Sequence, residues 1–451
     1  LCHAKATARY LKTQDFPAFD LLELFAFVRP AQFAVPTPRG LAEAFVLPRP
    51  DTPEEAAETL FSITQSLLSE LLTAGPRVYS LAWGMAQAGW SWGPSVIAVL
   101  ENNKPKRQPN SPLEGFKVWN RLSEWEEGAP EPPPGHLNVN HTEVTERLIK
   151  LLGDSSEERP QQTEYAIGTA AAFEVTEKVG TPKIVIAEAG TGVGKTLGYL
   201  APASVWAEKN ESPVWISTFT RNLQRQLDRE LDRLYPDPIE KSIRAVVRKG
   251  RENYLCLLNM EEAIGQGSAN QKSGRQNIDL ITLGLVARWV QKSKDGDMVG
   301  GDFPAWLSDL MGQRRTIDLT DTRGECVYAA CSHYSKCFIE KSLRRARRAR
   351  VVIANHALVL IQSILDADDL YRPTRYVFDE GHHLFDAADS AFSAHLTGVE
   401  TSELRRWIIG AEGRSNSRAR GLQARIKDLI SDDSDALAAL SSTLVATRTL
   451  P

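Results

Sequence analysis

The chain has 451 residues, 42% of them hydrophobic, with a formal net charge of −4 at pH 7. That length allows roughly two to four domains, and the composition is that of a globular protein, not a disordered one. The slight acidic excess excludes a protein that coats nucleic acid by bulk charge but not one with a local basic track, and no apolar run approaches the ~20 residues that span a bilayer.

The opening LCHAKATARY is no signal peptide, so a cytoplasmic protein without membrane contact, and a monomer, is expected. Lacking an initial Met and stopping at Leu450-Pro451, the sequence reads as a segment of something longer. Residues 1–75 form a small mixed unit: HAKATARYL, FDLLELFAFVRP, PTPRGLAEAF and a helix-like run from Pro53. The order His3, Asp20-x-x-x-Leu24, Pro and Gly-Leu-Ala resembles the later part of a DEDD-type 3′→5′ exonuclease domain, with Asp20 at that family's metal-binding Asp. The Asp expected after the first His and the His-x-x-x-x-Asp of the last segment are missing. One carboxylate cannot hold two cations, so a degenerate exonuclease-like or interaction domain is expected.

Residues 76–142 turn to Trp, Pro and Asn, as in WGMAQAGWSWGP, ENNKPKRQPNSP and EEGAPEPPPGH. Such proline density predicts a linker or extended wrap, with Trp83, Trp90, Trp92, Trp119 and Trp125 docked on the domain that follows.

Residues 143–250 open with the helix-like EVTERLIKLL and lead to IVIAEAGTGVGKT at 184–196. The run IVIA predicts a buried parallel strand, being too short for a helix and too continuously apolar for an edge. In the loop Ala189, Gly190, Thr191, Gly192, Val193, Gly194, the glycines let successive N–H groups turn toward phosphate oxygens. Lys195 supplies a charge for the β/γ-phosphates and Thr196 a hydroxyl for Mg²⁺, at a helix N-terminus that itself favours anions. The pattern usually begins with Gly; here Ala189 holds that place. Next, VWISTFTRNLQRQL predicts a buried strand ending in Ser217, Thr218 and Thr220, with Gln224 and Arg225 on the helix after it. Hydroxyls and N-terminal amides there can hold nucleic-acid phosphates without reading sequence.

Residues 251–340 hold four of the five cysteines. Cys326, Cys331 and Cys337 are separated by four and five intervening residues, far downstream of Cys256. Clustering in a cytosolic chain favours metal ligation, and the absence of CxxC pairs favours a four-thiolate [4Fe-4S] cluster over zinc. His333 is expected on the surface. In 341–385, KSLRRARRAR carries six basic residues in ten and suggests a phosphate-backbone track, and RYVFDEGHH predicts a strand delivering Asp379 and Glu380 to its carboxyl end. Asp379 would hold Mg²⁺, Glu380 would orient and deprotonate the attacking water, and His382 would couple the site to the rest of the domain. Residues 386–451 are helix-like and charged.

The phosphate loop, STxTxxLQ, KGRxNYLC, three further Cys, VVIANHALVL and VFDEGHH follow the order of the DinG/XPD-type iron-sulfur superfamily 2 DNA helicases, which the chain resembles over roughly residues 155–385. The resemblance implies an adenine-reading Gln162 three residues after Arg159, and an ATP- and Mg²⁺-dependent 5′→3′ DNA helicase of repair or replication acting on single-stranded and tailed or forked duplex DNA. Its fold would be α/β: a RecA-like P-loop parallel sheet with an iron-sulfur insertion and an incomplete helical arch insertion, preceded by the degenerate exonuclease-like unit. Gly381 departs from the family's DEAH box. A non-translocating ATP- or redox-responsive DNA-binding module and an ATP-assisted nuclease are the alternatives.

Overall fold

The computed structural model describes all residues except 15, 17, 103–106, 126–127, 129–131, 154–159, 176–180, 191, 270–276, 322–325, 366–372, 394–397, 411–420, 427–429, 432 and 451. The chain divides into two compact units, one of Leu1–Glu124, Arg251–Phe338 and Ala394–Pro451, the other of Trp125–Gly250 and Ile339–Ser393. Among the described residues no helix is long and apolar enough to cross a membrane.

The second unit is built on a parallel α/β sheet. Its strands, β1 (Val214–Thr218), β2 (Ala245–Val247), β3 (Val351–Asn355) and β4 (Arg375–Phe378), lie in the order β2-β3-β1-β4. Val214 pairs with Val351 on one side and Arg375 on the other. Side chains alternate across a strand, so the apolar runs feed two cores. Val214, Ile216, Val351 and Ile353 join the helices His141–Leu152, Pro160–Ala170 and Lys195–Lys209 on one face. Trp215, Val246, Val352 and Ala354 pack with Ala346, Ala349 and Val359 on the other. Covering both faces makes the sheet's carboxyl end the natural place for a ligand.

The expected strand at 184–187 is not in this sheet. Ile184 is 77% exposed and Ile186 94%, and the stretch carries no strand assignment. A run of four makes few ladder bonds and needs burial on both faces to be held. β4 pairs only with β1 among the described residues, and its side chains alternate between half-buried and exposed.

The first unit is helical. Leu22, Phe25 and Phe27 of the helix Leu21–Val28 share one core with Met85, Trp90, Leu285 and Trp289, so residues before 125 and after 250 are buried together. The helix Ile278–Val290 is buried from Leu280 to Val290, the all-round burial of a central helix. At Gly284 a Cβ would lie 2.5 Å from the Met85 side chain, which would have to shift to admit a larger residue.

Where composition predicts a linker, the structure has the helices Pro76–Gln87 and Gly93–Glu101. Pro76 and Pro94 fall in the first turn, where a missing N–H costs nothing and the fixed φ suits the helix. The tryptophans follow suit: Trp90, Trp92 and Trp119 are buried in this unit's own core. Trp125 belongs to the other unit, under the guanidinium of Arg344 at 3.5 Å from its ring centroid. The helices Gly398–Ile409, Leu422–Ile426 and Ser434–Thr447 complete the chain.

Asp20, the one carboxylate placed by the exonuclease likeness, is 1% exposed. It caps the helix Leu21–Val28 by accepting from Leu22 N at 3.0 Å, and also accepts from His3 N at 3.1 Å and Ala4 N at 2.6 Å. Both oxygens are thus engaged by backbone. Glu23 accepts from Trp90 Nε1 at 2.9 Å, and burial, reinforced by the charge of Asp20, pushes its carboxyl up to about 7.

Candidate active site

The phosphate loop reaches its helix through Gly192 and Gly194, both left-handed at φ 84° and 86°. The left-handed φ is what calls for glycine at Gly194, and a Cβ there would also displace the Gln162 amide. The helix Lys195–Lys209 begins there without a side-chain cap, leaving its first N–H groups directed at the loop. Gln162 is buried and donates through Nε2 to Gly194 O at 2.9 Å. Its amide thus buttresses the loop. Arg159 and Thr191 lie outside the described residues. Ala189 and Val193 are half-buried and Gly190 exposed.

β4 ends at Phe378 and delivers Asp379 and Glu380 to the same place. Asp379 N donates to Ser217 O at 2.8 Å, tying the acidic turn to the end of β1. Lys195 Nζ lies 3.4 Å from Glu380 Oε1, and His382 Nδ1 lies 3.5 Å from Glu380 Oε2. Glu380 is left-handed at φ 55°, an uncommon state for a non-glycine residue that turns its carboxylate back toward Lys195.

Burial pushes the Asp379 carboxyl above its ordinary value and the charge of Glu380 adds to this, while the Tyr199 hydroxyl and Lys195 oppose it. A cation between the two carboxylates would reverse this penalty.

Sequence reasoning missed two residues. Tyr199, buried on the phosphate-loop helix, donates to Asp379 Oδ2 at 3.2 Å and is also hydrogen-bonded to Thr196, so it joins the two side chains expected at Mg²⁺. Burial, and then the charge of Asp379, pushes its own pKa far up, keeping it a donor. Its position one turn beyond Lys195 is the signal that could have found it. His356, directly after β3, is 1% exposed, with Nδ1 2.7 Å from Ser217 Oγ. Burial lowers its pKa, which favours the neutral ring, against hydrogen bonding with the backbone of Asp379 and Glu380. Thr218 and Gln224 are buried, while Thr220 is exposed and caps the helix Arg221–Leu234.

All four cysteines of the other site lie in the first unit, none of them in a disulfide. Tyr328 N donates to Cys326 Sγ and His333 N to Cys331 Sγ, each at 3.4 Å. Cys256 immediately precedes the helix Leu257–Ala269. Burial pushes its thiol up to about 12, opposed by the N–H groups of Asn259 and Leu258 and reinforced by Asp321 and Cys337. Among the described residues no three His, Cys, Asp or Glu are arranged to hold a metal ion. His333 is not on the surface as expected. It is 5% exposed, paired with Glu261 at 2.9 Å and edge-on to Trp119 at 5.4 Å.

The fold and this constellation define an α/β domain that gathers one lysine and two adjacent carboxylates where a parallel sheet presents its carboxyl end. The chain is similar over part of its length to proteins named as DinG and YoaA helicases. It is 33% identical over 280 residues to an ATP-dependent helicase DinG of Mycobacterium tuberculosis, covering 60% of this chain and 41% of that protein. It is 32% identical over 242 residues to the ATP-dependent DNA helicase YoaA of Haemophilus influenzae, covering 52% and 35%. A protein of Bacillus subtilis named 3′-5′ exonuclease DinG is 28% identical over 231 residues, covering 50% and 23%. The chain thus matches less than half the length of these relatives. No family model matches it.

Proposed function

We propose that this chain carries the first RecA-like motor half of an ATP-dependent, 5′→3′ DNA helicase acting in repair or replication on single-stranded and tailed or forked duplex DNA. The observation that carries this reading is the convergence of Lys195, Asp379 and Glu380, far apart in sequence, beside the buried Ser217–His356 pair. Lys195 and the N-terminal amides of its helix would hold the β/γ-phosphates, and Thr196 and Asp379, aligned by Tyr199, would hold Mg²⁺. Bound Mg²⁺ would neutralise charge on the transferring phosphoryl group. Glu380 would accept the proton of the attacking water. Arg159 and Gln162 would serve the adenine side. In domain terms, 143–250 and 341–385 form the motor half, 251–340 the cluster domain and 386–451 the start of an arch.

Two DNA contacts are proposed, the turn at 217–225 and the run 341–350. In the latter, Arg344 also pairs with Glu340 at 2.8 Å and Arg345 donates to Ser242 O at 2.7 Å, so part of its charge is already engaged. The test is nucleotide binding and ATP turnover by the protein with and without single-stranded DNA, using Lys195→Ala as control. Nucleotide binding lost in the variant, with turnover by this motor half slower than a helicase's, is the expected result; robust DNA-stimulated turnover lost in the variant would overturn the half-motor reading, and nucleotide binding indifferent to Lys195 would overturn the site.

Cys256, Cys326, Cys331 and Cys337 would hold a [4Fe-4S] cluster. The support is four thiols in one unit, of which Cys326 and Cys331 receive backbone N–H groups, the pattern that stabilises cluster thiolates. A cluster there would cross-link distant segments and could exchange one electron. Anaerobically purified protein is expected to be brown with about four irons per chain. One zinc without iron or sulfide would contradict this.

A further inference from the structure

Phe219 follows β1 on the turn between Thr218 and Thr220 and lies flat on His383, with ring centroids 3.9 Å and planes 14° apart. His383 closes a single 3-10 turn, Gly381–His383, by donating its N–H to Glu380 O at 3.0 Å. The stack therefore rests on the turn that holds Glu380 left-handed at φ 55° with His382 beside its carboxylate. Beneath it Ser217 ties the β1 turn to both neighbours: its carbonyl accepts from Asp379 N of the acidic turn at 2.8 Å, and its hydroxyl meets His356 Nδ1, after β3, at 2.7 Å. With that base fixed, Phe219 and His383 are the outer contact between the β1 turn and the acidic turn. Phe219 nevertheless keeps 43% of its surface exposed, next to the exposed Thr220. An exposed ring so placed can take a nucleobase without reading its identity.

We propose that Phe219 is a nucleobase-stacking residue that reports an occupied single strand to Glu380. A base layered on the exposed part of the phenyl ring holds it against His383, and His383 holds the turn that presents the carboxylate to the nucleotide. This rests on the helicase reading above and adds to it a named contact and a direction of coupling. Because coupling between two ligands is reciprocal, it is measurable in binding alone.

The probes are an oligo(dT) carrying one 2-aminopurine and a non-hydrolysed fluorescent ATP analogue, titrated singly and together with the protein and with Phe219→Ala, Phe219→Leu and Phe219→Trp. The native protein is expected to quench the 2-aminopurine at one register and to bind the analogue more tightly when the oligonucleotide is present. Phe219→Ala and Phe219→Leu should weaken oligonucleotide binding by roughly five- to a hundredfold, abolish the quench and remove the mutual tightening, at an unchanged melting temperature. Phe219→Trp should restore all three. Binding of both ligands with coupling unaffected by Phe219→Leu would overturn this inference alone. Binding of neither by the native protein would overturn the helicase reading and this inference with it.

Discussion

Replacing Glu380 with glutamine is expected to lower ATP turnover by roughly 10²–10⁴-fold while ATP is still bound, the loss typical of removing a positioned general base. The substitution keeps side-chain length and the left-handed backbone at φ 55°, so it removes the proton acceptor and little else. Lys195, 3.4 Å from that carboxylate, loses an ion pair that competes with phosphate. Nucleotide affinity should therefore hold or rise, separating this variant from Lys195→Ala, in which affinity itself falls. Single-turnover hydrolysis beside equilibrium binding makes the comparison. Turnover within a few-fold of native would mean that another group activates the water.

Replacing Asp20 with alanine is expected to destabilise the first unit by roughly 2–5 kcal/mol, from a lost helix cap and buried N–H groups left without an acceptor. The carboxylate is 1% exposed and accepts from three backbone donors. Asp20→Asn, retaining one acceptor oxygen, should lose less. Denaturant unfolding of the two variants measures the difference. The same arrangement gives Asp20 no free oxygen for a cation, and its neighbour Glu23 is bonded to Trp90. Incubation of labelled single strands with Mg²⁺ or Mn²⁺ should leave them intact. Degradation that disappears in Asp20→Ala would show that this residue is catalytic and not structural.

The glycine-rich loop and the Asp-Glu pair stand out in the sequence because each is a few residue types at fixed local spacing. Gly192, Gly194, Lys195 and Thr196 fall within about one turn of chain, Asp379 and Glu380 follow an apolar run, and the structure brings Lys195 to 3.4 Å from Glu380. The same holds for the parallel α/β class, since runs such as VWIST and VVIAN suit only strands buried on both faces. Segments whose fate depends on distant partners were not legible. The run at 184–187 is as apolar as β3, yet it lies outside the ladder because strand formation requires neighbours that local sequence does not name. The prolines of 76–142 looked like helix breakers, but two fall where a helix accepts them, and Trp90, Trp92 and Trp119 found their apolar partners within 1–124 and 251–338. His333, Tyr199 and His356 are of residue types equally at home on a surface. Only the tertiary structure, by burying them against Glu261, Asp379 and Ser217, gives each a role: hydrogen-bonding partners are set by proximity in space, which a sequence carries only where its spacing is short.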